Sequence, residues 1–279
     1  MSAVVDLPTA ANKPPGRTLR AGKPLVSLRS ISKTFSNGTL ALKDMSLDVG
    51  KGEFISLLGP SGCGKSTALR IIAGLGEPSS GTIEWPTSVV DSAGRPETEI
   101  GFVFQEPTLM PWATVAKNVW LPLRLKGISQ RAAADRIMEA LRMVGLEAFA
   151  NAYPRELSGG MKMRVSIARA LITKPQLLLM DEPFAALDEI TRFKLNNDLL
   201  ELWEKFGWTV IFVTHSVFES VYLSERIIVM AARPGRVFTD LTVDAPYPRH
   251  EEYRTSGIYN ENCRRTSDAL HAAMGDQPH

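Results

Sequence analysis

Long apolar runs are missing from this 279-residue chain: no stretch approaches the roughly 18 consecutive apolar residues that a membrane-spanning helix needs. Cysteine is scarce. The two present, Cys63 and Cys263, sit far apart and without metal-ligand spacing, which argues against a disulfide framework or a thiolate metal site and fits a reducing, cytoplasmic setting. An excess of one charge is also lacking. Lys and Arg total 32 against 30 Asp and Glu, leaving a formal +2, so the basic dominance of a nucleic-acid binder is absent. The opening MSAVVDLPTAANKPPGRTLRAGKP has no basic segment followed by an apolar one. No secretory signal is expected there, and its Pro, Ala and Gly content predicts a flexible tail over residues 1–24.

What is present is an alternation of strand and helix patterns. LVSLRSISKTF and ALKDMSLDV flank Asn37-Gly38, a hairpin signal. EFISLLG predicts a buried strand that runs into GPSGCGKST and a helix, KSTALRIIAGL. GTIEW and IGFVFQ predict further strands, and Pro107, Pro111 and Pro122 break the stretch that follows. SQRAAADRIMEALRMVG predicts a helix with Ser129 at its N-cap and Ile137, Ala140, Leu141 and Val144 on one apolar face. A helix from LSGGM to about Thr173 precedes the apolar strand QLLLMD. A helix from about Asp188 to Phe206 carries Phe193, Leu200 and Trp203 as its stripe. TVIFVTH and RIIVMAARPGRVFTDLTV read as a strand and a hairpin, and a helix is expected over 261–273 of the polar C-terminal tail, 246–279. Strands alternating with helices imply an α/β core with a parallel sheet.

GPSGCGKST fits G-x-x-x-x-G-K-[ST] from Gly59 to Ser66, with a strand before and a helix after. The backbone N–H groups of such a loop point at phosphate oxygens, and the helix N-terminus adds its dipole. Gly59, Pro60, Ser61, Gly62, Cys63, Gly64, Lys65, Ser66 and Thr67 are therefore the expected nucleotide cradle, with Lys65 on the β/γ-phosphates and Ser66 on Mg²⁺. In LLLMDEP, Asp181 ends an apolar strand where ligands gather in parallel sheets and can hold Mg²⁺. Glu182 beside it can polarise an attacking water, which favours hydrolysis over transfer to a bound acceptor.

A second anion-binding turn, Ser158-Gly159-Gly160, opens the helix of ELSGGMKMRVSIARALI. A chain already holding a triphosphate in its first loop has no phosphate left for it. The expected resolution is a head-to-tail pair of copies, each closing this turn over the other's nucleotide.

With these motifs in this order, residues 25–245 resemble the ATPase domain of ABC transporters. The resemblance implies a P-loop NTPase (RecA-like) core with an antiparallel β subdomain and an inserted α-helical subdomain near 106–160. It implies ATP and Mg²⁺ as cofactors. It also implies Gln105 as the glutamine near Mg²⁺ and the attacking water, Asp188 reaching across the dimer, His215 contacting the γ-phosphate, and Phe35 stacking on adenine.

The finer likeness is to nitrate, sulfonate and taurine importers, carried by Met161, by EPTLMPWATVAKNV and by MAARPGRV; Lys162 and Met163 and the segment SVVDSAGRPETEIG depart from it. The partners then implied are transmembrane permease subunits docking near Leu109, Met110 and Trp112 and, indirectly, a periplasmic or extracellular solute-binding protein. The site of action would be the cytoplasmic face of the membrane. A soluble ABC ATPase without a transport role stays open as the alternative, while no sustained heptads support a chromosome-maintenance cassette. A P-loop kinase would need neither LSGGM nor the Asp188 loop.

Overall fold

The structure is a computed structural model describing residues 22–91, 96 and 99–275. Most of the tail expected over 1–24, and part of the atypical 88–101 segment, lie outside the described residues.

Strands β1 (Val26–Thr34), β2 (Leu40–Val49) and β4 (Ser80–Glu84) form an antiparallel sheet in the order β2-β1-β4. The β1–β2 turn closes where Asn37-Gly38 stands, with the Phe35 N–H donating to the Thr39 carbonyl at 2.9 Å. The second sheet runs β5-β6-β7-β3-β8-β9, from β3 (Phe54–Leu58), β5 (Ile100–Val103), β6 (Leu177–Asp181), β7 (Thr209–Thr214), β8 (Arg226–Ala231) and β9 (Arg236–Thr242). Its first five strands are parallel and β9 is antiparallel.

Every residue of β3, β6 and β7 is buried, which explains their unbroken apolar sequences. Period-two geometry splits them between two cores. Phe54, Leu58, Leu178, Met180, Val210 and Phe212 face one core, and Ile55, Leu57, Leu177, Leu179, Ile211 and Val213 face the other. The second core is closed by the three-stranded sheet and α1 (Lys65–Ile72). The first is closed by α2 (Val115–Leu125), α3 (Ala134–Met143), α4 (Gly159–Leu171), α5 (Glu189–Phe206), α6 (Val217–Leu223) and α7 (Gly257–Gly275).

Three details differ from the sequence reading. Helix α3 begins at Ala134, five residues after Ser129, whose hydroxyl instead accepts from the Ala132 N–H and caps a preceding turn. On α5 the buried stripe is Leu195, Leu199, Leu200 and Trp203, while Phe193 lies exposed beneath the Arg254 guanidinium, 4.6 Å from its ring. In the C-terminal stretch, α7 starts at Gly257, and its Tyr259, Cys263 and Ala273 join the first core.

A knot of arginine and tyrosine fastens that stretch. Arg249, 4% exposed, donates to the carbonyls of Val221, Tyr222 and Ser224. These are among the carbonyls that the end of α6 leaves without helical partners. The Tyr247 ring lies 4.0 Å from the same guanidinium. Deeper in, Trp203 meets Phe54 edge-on at 5.7 Å and Tyr247 at 4.9 Å. Trp203→Ala is expected to destabilise the fold by about 3–5 kcal/mol, measurable as a lowered midpoint in urea with the slope unchanged.

Candidate functional site

Parallel register aligns the ends of four neighbouring strands. Val103 pairs with Met180, Asp181 with Val213, and Leu58 with Thr214. The next residues along each chain (Gly59 after β3, Glu182 after β6, His215 after β7, and Gln105 two past β5) therefore emerge at one carboxyl edge. This is where parallel sheets bind ligands.

Gly59 to Thr67 wrap from β3 into α1. Gly64 caps the helix at φ 88°, and a Cβ there would sit 2.6 Å from Leu42 Cδ2, so only glycine fits. Lys65 is 4% exposed and folds back on its loop, Nζ donating to the Gly59 carbonyl at 2.7 Å and the Pro60 carbonyl at 3.0 Å. The same Nζ lies 3.7 Å from Glu182 Oε1. The other oxygen, Glu182 Oε2, lies 3.3 Å from His215 Nδ1. One carboxylate thus stands between the lysine and the histidine. Glu182 has a left-handed φ of 46°, a conformation costing about 1–3 kcal/mol outside glycine and typical of functional turns.

Ser66 Oγ donates to Asp181 Oδ1 at 2.7 Å. Burial pushes the Asp181 carboxyl above the usual carboxylate range, the Ser66 hydrogen bond and the charges of Arg70 and Lys65 opposing that rise and Glu182 adding to it. Among the described residues no three His, Cys, Asp or Glu side chains gather as a metal site. A hydroxyl and a carboxylate nevertheless suit Mg²⁺, which takes few protein oxygens and completes its shell with phosphate and water. Phe35, 45% exposed, stands at the hairpin turn with Lys33 Nζ 5.7 Å from the centroid of its ring.

Ser158, Gly159 and Asp188 are exposed and are not among the residues that touch Lys65 or Glu182. Each of Ser158 and Asp188 caps a helix. Ser158 Oγ accepts from the Met161 N–H and Asp188 Oδ1 from the Thr191 N–H, and the latter bond holds the Asp188 carboxyl below its ordinary range. The two turns touch: a Cβ on Gly160 would lie 2.7 Å from Thr191 Cγ2, and one on Gly159 would lie 3.3 Å from Leu187 Cδ2. Gly160 is thus required for α4 to seat against α5.

Two residues missed in the sequence hold the loop after Gln105. Arg169 on α4 donates to the carbonyls of Pro107 and Thr108, and burial lowers its pKa. Asn118, fully buried on α2, accepts from the Met110 N–H at 2.7 Å and donates to the Met110, Ala113 and Thr114 carbonyls. Neither residue belongs to a chemical motif, so only the fold reveals them. The loop they brace leaves Trp112 77% exposed. It lines a groove of about 400 Å³ together with Met110, Ala113, Lys117, Trp120, Leu121 and Arg124. Leu109 turns inward against the core instead.

Comparison with known proteins gives a consistent answer. The family described as "ABC transporter" matches residues 42–185. An uncharacterised ABC transporter ATP-binding protein of Methanocaldococcus jannaschii is 48% identical over 227 residues, covering 80% of this chain and 84% of that one. The aliphatic sulfonates import ATP-binding protein of Bacillus licheniformis is 44% identical over 237 residues, covering 84% and 89%. Among solved structures, an ATP-binding cassette in a dimeric post-hydrolysis state bound to ADP and Pi has a TM-score of 0.68 at 38% identity, over 80% of this chain and all of that one. The structure of cbiO1 from Clostridium perfringens, described as part of an ABC transporter complex, has a TM-score of 0.72 at 27% identity, over 91% of this chain and all of that one.

Gly160→Ala is expected to destabilise the chain by about 1–3 kcal/mol through this overpacking. Adding Thr191→Ser, which removes the opposing methyl and keeps the hydroxyl, should restore most of the loss in a urea titration.

Proposed function

The chain belongs to the ABC transporter family and is an ATPase, and we propose that it is the ATP-hydrolysing subunit of an importer for a small anionic or polar solute of the nitrate, sulfonate or taurine type. The observation that carries the mechanism is the Glu182 carboxylate held between Lys65 and His215, beside the Ser66–Asp181 pair.

In this reading the loop from Gly59 to Thr67 holds the β- and γ-phosphates, and Phe35 stacks on the base. Ser66, Asp181 and Gln105 would hold Mg²⁺, which would supply neutralisation of the charge on the phosphate oxygens. Glu182 takes a proton from the attacking water as its oxygen bonds to the γ-phosphorus. The bond from that phosphorus to the β–γ bridging oxygen breaks, releasing ADP and phosphate. His215 steadies the γ-phosphate. Ser158, Gly159, Gly160 and Asp188 serve the nucleotide of a second copy: Ser158, Gly159 and Asp188 are exposed and apart from the chain's own lysine, and Gly160, buried against Thr191, seats the turn. The dimeric cassette bound to ADP and Pi supports that arrangement.

Among the described residues no helix is long and apolar enough to cross a membrane. The importer relative supports separate permease subunits as partners, with a solute-binding protein acting through them at the far side. The Trp112 groove, apolar with Lys117 and Arg124 at its rim, suits a short amphipathic segment of a permease at the cytoplasmic face of the membrane. The sulfonate importer relative supports the solute class, since an ATPase subunit need not touch the solute itself.

Glu182→Gln should bind ATP, hydrolyse it poorly and accumulate as a dimer on a sizing column. A variant that stays monomeric when saturated with ATP and Mg²⁺ would defeat the two-copy mechanism. The same substitution in the source cell is expected to abolish uptake of one solute from a labelled panel of nitrate, taurine and an alkanesulfonate. Uptake of all three at the normal rate counts against the solute class.

A further inference from the structure

We infer that Arg192 and Glu219 are positioning residues that tie the loop carrying Asp188 to the loop carrying His215 within one chain, an inference that rests on the two-copy reading above. Arg192 lies on the first turn of α5, four residues after Asp188, and donates through a terminal nitrogen to the Leu187 carbonyl at 3.0 Å. Its Nε lies 3.8 Å from Glu219 Oε1 on α6. Both of these atoms are buried and neither has a hydrogen-bond partner.

The other oxygen of Glu219 is spoken for. Thr214 Oγ1 donates to Glu219 Oε2 at 2.6 Å and itself accepts from the Ser216 N–H at 3.0 Å. The Glu219 N–H in turn donates to Ser216 Oγ at 3.3 Å. Thr214 and Ser216 are the neighbours of His215 on either side, so Glu219 holds both flanks of the histidine, Thr214 directly through its carboxylate and Ser216 through its backbone N–H and the Thr214 hydroxyl.

Opposite charges with unspent hydrogen-bonding capacity, buried a little beyond contact, are sensitive to small shifts. A charge-assisted bond forms at about 2.7–2.9 Å. A movement of roughly one ångström in the Leu187–Asp188 turn therefore decides whether the bond exists. Such a shift is what a second copy would impose by engaging Asp188, since packed elements pass small displacements on as discrete rearrangements. Engagement of one copy would thus be read at the His215 loop of the other, making hydrolysis conditional on closure.

The test uses the full chain with ATP and Mg²⁺. Arg192→Gln and Glu219→Gln are each expected to lower kcat about ten-fold, with KM for ATP within about two-fold, and their combination to fall no further than the worse single change. The apolar double variant Arg192→Met/Glu219→Met leaves no buried charge unpaired and is expected to melt near the parent temperature. It should still hydrolyse about ten-fold more slowly. Losses that multiply, a raised KM with kcat intact, or a parental rate in the apolar double variant overturns the link. Amide exchange reads it without altering the pair. In Glu182→Gln, ATP should slow exchange at Ser216, and Asp188→Ala should abolish that slowing while sparing residues 59–67. Slowing at Ser216 that survives Asp188→Ala also overturns the link. A Glu182→Gln chain that never dimerises removes the two-copy reading instead, so the two failures are told apart.

Discussion

The hydrogen-bond register of the parallel sheet is the constraint on which everything else rests. β5, β6, β7 and β3 are locked side by side, and their pairings bring Val103, Asp181, Thr214 and Leu58 to a common edge. A slip of one residue in any strand would turn its side chains to the opposite core. It would also carry Asp181, Glu182 or His215 away from the phosphate loop. Both faces of β3, β6 and β7 are buried, so their register is held by packing on two sides, and the site inherits the rigidity of the deepest part of the molecule.

On that edge the charges are arranged to neutralise one another. Lys65 is satisfied by two carbonyls of its own loop and lies near Glu182, whose second oxygen faces His215. Asp181 is tied to Ser66. Phosphate oxygens would compete for Lys65 and so loosen its hold on the carboxylate, leaving Glu182 freer to act on water. The turns at Ser158 and Asp188 face outward, and helix caps hold them in shape.

How much of this was legible beforehand follows from chemistry. The phosphate loop, the two carboxylates and the second Ser-Gly-Gly turn could be read because each is local: backbone, charge and helix start lie within a few residues. The buried strands could be read because an apolar run of strand length has few other uses. Ser129 misled because its hydroxyl caps a turn as readily as a helix. Phe193 misled because an arginine from a distant segment covers it, a contact no periodicity contains. Arg169 reaches carbonyls more than sixty residues away and Arg192 faces Glu219 on another helix, so these roles exist only once the chain has folded; Asn118 bonds near neighbours, but in a loop shape that no periodicity contains.

Helix α4 has a further consequence. It holds Ser158 at one end and, through Arg169, the backbone of Pro107 and Thr108 near the other. At 13 residues it is a stiff rod about 20 Å long. The exposed turn and the loop that follows Gln105 therefore cannot change their separation without breaking bonds to the guanidinium. They form the two ends of a caliper. A displacement of the loop at one jaw therefore moves Ser158 at the other as part of the same rigid body, as a rotation rather than a deformation.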